Sequence, residues 1–307
     1  MREPMLIPTR EARLAAERHQ HHVHNRRHAR IKRAAKRVIA HLVLAIGGLV
    51  MIMPLFWLAS SSLKRPEQIF VFPPQLIPRP AYWSNYVRLL ELTPVGLYLG
   101  NTLRIAIVAT AGQALTSSLA GYAFARLRFQ GRDLVFGVLL TTLMLPFAVL
   151  MIPTYVMFSR IGWVGTFRPL TVPYWFGGGA FNIFLLRQFI RTIPKELDEA
   201  AVIDGASRFR VFFTIILPLC RPALTVVTIN SFLHHWNDFL APLIFLTSAR
   251  QWTLALAISS LRDMGYGLDT THYMLALSTI VVTPVVIIYF LAQRAFIRGI
   301  ALTGIKG

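Results

Sequence analysis

The sequence predicts an all-α polytopic membrane protein: six transmembrane helices, with a short acidic helix on the cytoplasmic side between the fourth and fifth. Three observations carry that prediction. Of the 307 residues, 55% are hydrophobic and only 15% are charged, which is too apolar for a soluble domain of this length. The apolar residues gather into runs that reach the ~20 residues a helix needs to cross a bilayer. Of the 32 Lys and Arg residues, 23 fall in four segments that six crossings put on one side.

The crossings are expected at about 38–60, 101–125, 134–158, 170–190, 217–247 and 273–293. The first, third and sixth are the most uniformly apolar. The second carries Gly112, Ala114, Ser117, Ser118, Ala120, Gly121 and Ala123, a small-residue face suited to close helix contacts within a membrane. The third contains Pro146 and Pro153, which predict a bend. The fourth contains Gly177, Gly178, Gly179 and Asn182. The external segment of about 61–98 is rich in proline and interleaved with Phe70, Phe72, Tyr82, Trp83 and Tyr86, residues that suit the membrane interface or a partner.

The basic segments are 1–37, 126–132, 187–222 and 294–307; the rest of the chain keeps 9 Lys and Arg. This positive-inside bias places both termini in the cytoplasm. The formal charge of +19 is therefore a topology signal, and nucleic acid is not an expected partner. Residues 1–37 form a basic tail, flexible or lying as a helix on anionic lipid, and 38–307 form the transmembrane domain. His19, His21, His22, His24 and His28 lie in that tail without a framework to fix a metal, and no metal site is expected. The first apolar run is too long and too far from Met1 for a cleaved secretory signal and reads as a signal anchor. The single cysteine, Cys220, forbids a disulfide within the chain and is expected to be buried.

Residues 192–216 carry the functional information. Pro194 can open a helix, and Glu196, Asp198 and Glu199 then sit near its positive end. Gly205 ends it. Ala200, Ala201 and Ala206 leave the backbone open to close approach, and Leu197, Val202 and Ile203 supply apolar contact. A second amphipathic run through Phe209, Phe212, Phe213, Ile215 and Ile216 should follow the membrane face until Leu217-Pro218 turns the chain inward. On physical grounds alone this is either a docking knob or a plain interfacial elbow.

The pattern Glu199-Ala200-Ala201, then Asp204-Gly205-Ala206, then Ile216-Leu217-Pro218 resembles the EAA loop of permease subunits of binding-protein-dependent ABC importers. The stretch of about 97–295 resembles their whole permease domain. Gln293-Arg294, Arg298-Gly299, Gly304-Ile305-Lys306-Gly307 and Trp236-Asn237-Asp238-Phe239-Leu240-Ala241-Pro242-Leu243 are similar to the carbohydrate-uptake, MalG-like branch. The resemblance implies a type I importer fold in a bacterial or archaeal cytoplasmic membrane. It implies a second, MalF-like permease, two ABC ATPase subunits and an extracytoplasmic solute-binding protein as partners, with a sugar as solute. Glu199, Ala200, Ala201, Asp204, Gly205 and Ala206 would form the coupling helix seated in the ATPase, Glu199 making the charged contact and Gly205 the turn. Gly304, Ile305, Lys306 and Gly307 would reach the ATPase interface. ATP and Mg would be bound by the ATPase subunits, leaving this chain without a cofactor. His234-His235 depart from the aromatics common ahead of the Trp-Asn pair.

Enzyme and ion-driven readings find little support. No Gly-x-x-x-x-Gly-Lys-Ser/Thr phosphate loop occurs, so ATP hydrolysis is not expected in this chain. Carriers driven by protons or sodium keep ionisable residues within their spans, and the third and sixth spans have none. Asp238 either faces the bundle interior or lies in water near the external end of the fifth span. Asn182, Asn230 and Asn237, with Asp238, are candidate pathway-lining residues, although helix packing explains such residues as well. The alternatives to sugar uptake are a permease for glycerol phosphate, a polyol or an amino acid, and a stand-alone secondary transporter.

Overall fold

A computed structural model describes the backbone of residues 10–264 and 270–304, and the side chains of 36–262 and 270–293. All regular structure among these residues is helical. The chain divides into two units, Met1–Leu58 and Ala59–Gly307. Helix α1 (Arg10–Ser61) supplies the first. Its side chains from Lys36 to Phe56 are exposed, an apolar surface of the kind a bilayer covers. The five tail histidines lie outside the described side chains.

The second unit is built round α3 (Val95–Arg126), which follows the short helix α2 (Ser84–Leu92). Pro94 caps α3, so it starts a turn and a half before the expected span. Its N-terminal end is pinned by Asn101, whose Nδ2 donates to the carbonyls of Arg250 (2.9 Å) and Trp252 (3.0 Å). Thr102 Oγ1 accepts from Leu254 N at 2.9 Å. The proline-rich segment is folded on Asn85, which donates to the carbonyls of Ser62 and Lys64, both at 2.9 Å.

The third crossing is a bent pair, α4 (Arg132–Thr141) with a 3-10 turn to Met144, then α5 (Phe147–Arg160), meeting at 102°. The cause is Pro146: it holds Leu145 extended (φ −86, ψ 110) and cannot donate to the preceding turn. The bend expected there is thus a break.

The fourth crossing is also broken. A helical turn at Arg168–Thr171 and a 3-10 turn at Val172–Trp175 give way to irregular backbone through Gly179, before α6 (Ala180–Thr192). Irregular backbone at membrane depth survives only where protein buries it. Here α3 does so: a Cβ on Gly178 would lie 2.3 Å from Ser117 N, so only glycine allows that approach.

The fifth crossing differs from the expected single run of 217–247. Helix α8 (Arg208–Leu219, with a π turn at Phe212–Ile216) meets α9 (Arg221–Asn237) at 81°. The elbow falls at Cys220, just beyond Leu217-Pro218, because Pro222 cannot donate to the carbonyl four residues back. Helix α9 ends at Asp238, and a short helix, Leu240–Phe245, follows. Helix α10 (Leu254–Met264) packs Leu254, Ala257 and Leu261 with Trp236, Tyr98 and Leu277.

Helix α11 (Thr271–Gly304) closes the chain; Ile305, Lys306 and Gly307 lie outside the described residues. Among the described residues, three unbroken helices are long and apolar enough to cross a membrane, and up to five crossings result if each bent pair is one. The broken stretch 168–192 is the remaining one of the six expected.

Candidate functional site

The acidic segment folds as expected into a short helix, α7 (Glu196–Ile203). Its end is a complete Schellman motif: Ala206 N donates to Ala201 O at 2.9 Å and Gly205 N to Val202 O at 3.0 Å. Gly205 takes φ +83, the left-handed conformation that glycine adopts without strain. Ser207 then caps the next helix, its Oγ accepting from Arg210 N at 3.3 Å. Helix α8 is held by Val211, Phe212 and Ile216, which are buried with Tyr122, Ile190, Ile193 and Cys220.

Around that anchored base, α7 presents a mixed surface. Glu199, Ala200, Asp204 and Gly205 are exposed, and Ala201 and Ala206 are half-buried. Ile203 is 86% exposed and Phe209 71%. An isoleucine so exposed at the end of a short helix on the basic side of a membrane protein is an apolar knob without a socket among the described residues.

Asp198 alone of the α7 residues is buried. Its Oδ2 lies 3.2 Å from Arg126 Nε at the end of α3, with side-chain exposures of 7% and 3%. Arg126 Nη2 also donates to Ile193 O at 2.6 Å, so one guanidinium holds α7 and the chain leading into it. Burial pushes the Asp198 carboxyl above its ordinary range, while Arg126, and Arg208 after it, pull it back. Arg126 Nε and Nη1 and Asp198 Oδ1 are buried without a hydrogen-bond partner, so charge attraction and not a hydrogen bond joins the two side chains. The sequence reading used Asp198 only as a charge at a helix start and missed its pairing with Arg126. The available signal was the doublet itself, since adjacent helical residues point ~100° apart and cannot share a face.

The candidate pathway residues separate into two groups. Asn182 is buried, its Nδ2 donating to Ser231 Oγ at 3.0 Å and tying α6 to α9. Asn230 and Asn237 are exposed, and His234 is exposed between them at the spacing that puts all three on one face of α9. Asp238 is half-buried, its Oδ1 accepting from Ala241 N at 3.2 Å. Buried His235 turns the other way, Nε2 lying 3.0 Å from Gln113 Oε1 on α3.

Comparison with known proteins decides the family. Residues 114–302 match the model of the binding-protein-dependent transport system inner membrane component. The chain belongs to that family. It is 33% identical over 269 residues to the sn-glycerol-3-phosphate transport system permease protein UgpE of Pectobacterium atrosepticum, covering 86% of this chain and 95% of that one. It is 35% identical over 251 residues to the arabinooligosaccharides transport system permease protein AraQ of Halalkalibacterium halodurans, covering 81% and 86%. To the lactose transport system permease protein LacG of Rhizobium radiobacter it is 32% identical over 270 residues, covering 88% and 96%. In fold it is similar to a chain in the crystal structure of a bacterial ABC transporter that imports the acidic polysaccharide alginate, with TM-score 0.74, 19% identity, and 94% and 99% of the two chains covered. The chain is an inner membrane component, and the segment from α6 through α9 lies wholly within the matched permease domain.

Proposed function

We propose that this permease subunit forms half of the pathway of an ATP-driven importer for a sugar or oligosaccharide, and that α7 is its contact with a separate ATPase subunit. The single observation that carries the reading is α7: an acidic helix with Glu199 and Ile203 exposed, held on a buried base at the basic side of the bundle. A second permease would complete the pathway, two ATPase subunits would bind ATP and Mg, and an extracytoplasmic binding protein would deliver solute. Both termini lie in the cytoplasm, supported by the distribution of Lys and Arg. The exposed face of Asn230, His234 and Asn237 on α9 supports lining of a hydrated pathway, since polar side chains in a bilayer face the bundle or water and not lipid.

Two solute classes have support. AraQ and LacG are named for carbohydrates and favour a sugar, whereas UgpE is named for glycerol phosphate and favours a phosphorylated polyol. Uptake of labelled lactose, an arabino-oligosaccharide and glycerol 3-phosphate by the reconstituted transporter separates them. For the coupling role, the permease is purified with its ATPase subunits. Glu199→Ala together with Gly205→Ala should release the ATPase and abolish uptake; an unchanged complex with unchanged uptake contradicts the reading.

A further inference from the structure

The two neighbouring acids of α7 face different ways. Glu199 is exposed, while Asp198 is buried against Arg126 at the end of α3. We propose that the Arg126–Asp198 pair is a mechanical latch, tying α7 to α3 so that force applied to α7 is delivered to the transmembrane bundle. Both are positioning residues, and the inference rests on the reading of α7 as the ATPase contact.

Helix α7 has little other hold on the bundle. Of its eight residues only Asp198 is buried, and Leu197, Val202 and Ile203 are exposed. Ala201 packs on the cluster beneath it but offers a single methyl group. Arg126 is placed to join the parts. Its Nε faces Asp198 Oδ2 at 3.2 Å, and its Nη2 donates to Ile193 O at 2.6 Å, so α7 and the end of α6 are gripped by one side chain. That side chain belongs to the last residue of α3, the 32-residue helix around which the second unit is built.

A buried ion pair is a poor means of adding stability, because taking two charges from water offsets most of their attraction, and well-packed apolar replacements are often neutral or better. What the pair adds is direction. A guanidinium and a carboxylate resist being pulled apart, where a lone methyl contact slides. The incomplete hydrogen bonding of Asp198 Oδ1 and of Arg126 Nε and Nη1 fits a joint selected for linkage over stability.

The test uses the whole transporter, both permeases with ATPases and binding protein, in proteoliposomes, reading solute taken up per ATP hydrolysed together with the thermal midpoint. In R126M/D198L the ATPase stays bound and the midpoint holds or rises, while uptake per ATP falls about fivefold or more. Asp198→Asn lowers uptake per ATP in the same direction, and Asp198→Glu restores it. A merely structural pair would move the midpoint and leave the ratio alone. Wild-type uptake per ATP in Asp198→Asn overturns the latch, and so does wild-type uptake per ATP in R126M/D198L. Should R126M/D198L fail to assemble, the Asp198→Asn and Asp198→Glu pair decides. Uptake by the wild-type chain with no ATPase bound overturns the docking reading and the latch together, whereas a wild-type complex that couples no better than Asp198→Asn overturns the latch alone.

Discussion

Asn182 on α6 donates its Nδ2 hydrogen to Ser231 Oγ on α9 across 3.0 Å, with both residues buried. Interhelical bonds of this kind hold membrane bundles together, where the hydrophobic effect cannot. Asn182→Ala and Ser231→Ala should each destabilise the purified chain by about 1 kcal/mol, and the double variant by less than their sum. Denaturation midpoints in detergent check this. Additive losses would mean that the two side chains act apart.

Gly178 makes a second prediction, about the broken fourth crossing. Its Cα faces Ser117 so closely that an added Cβ would fall 2.5 Å from Ser117 Cα. Gly178→Ala must push the irregular segment off α3 and should cost about 1–3 kcal/mol. Gly177→Ala, where nothing lies within 4 Å of the added atom, serves as the control. The two midpoints should differ clearly.

Gly205 is different, because the space beside it is open and the cost is in the backbone. At φ +83 an alanine is strained by about 1–2 kcal/mol. Gly205→Ala should leave the bundle folded, since α7 stands at its edge, but fray the helix end. Amide exchange at Asp204, Gly205 and Ala206, whose N–H groups close the turn, should rise while exchange in α3 does not.

Asp198 supplies a pH prediction whose sign follows from its burial. Its carboxyl is raised, burial being the largest cause. The folded chain therefore binds that proton more readily than the unfolded chain. Its contribution favours folding below the unfolded value and is lost as pH rises through the folded one. Opening of α7, corrected for intrinsic exchange, should become rarer as pH falls through that window, and Asp198→Asn should abolish the dependence.

Much of the architecture was legible in the sequence, for identifiable reasons. Apolar run length pointed to the three long apolar helices found among the described residues, and Asp204-Gly205-Ala206 announced a helix end that the structure closes as a Schellman motif. Breaks were harder to read. Pro146 signals a bend, but whether it yields a kink or a 102° corner depends on what packs behind it. The Cys220 elbow went to Leu217-Pro218 because Pro218 is tolerated within α8, while Pro222 interrupts the ladder. Span 170–190 looked continuous because hydropathy does not register backbone shape, although Pro169, Pro173 and the three glycines were in view. The Arg126–Asp198 pair joins residues 72 apart in sequence, and nothing local connects them.

The central claim is that α7 meets a separate ATPase, and a photo-crosslinking residue at position 203 of the assembled transporter tests it most directly. Ile203 is 86% exposed, so a probe there disturbs little packing among the described residues. The predicted result is a covalent adduct between this permease and an ATPase subunit, lost when Glu199 and Gly205 are both replaced. Adducts with lipid alone, or labelling of position 203 by an impermeant reagent added outside the cell, would contradict it.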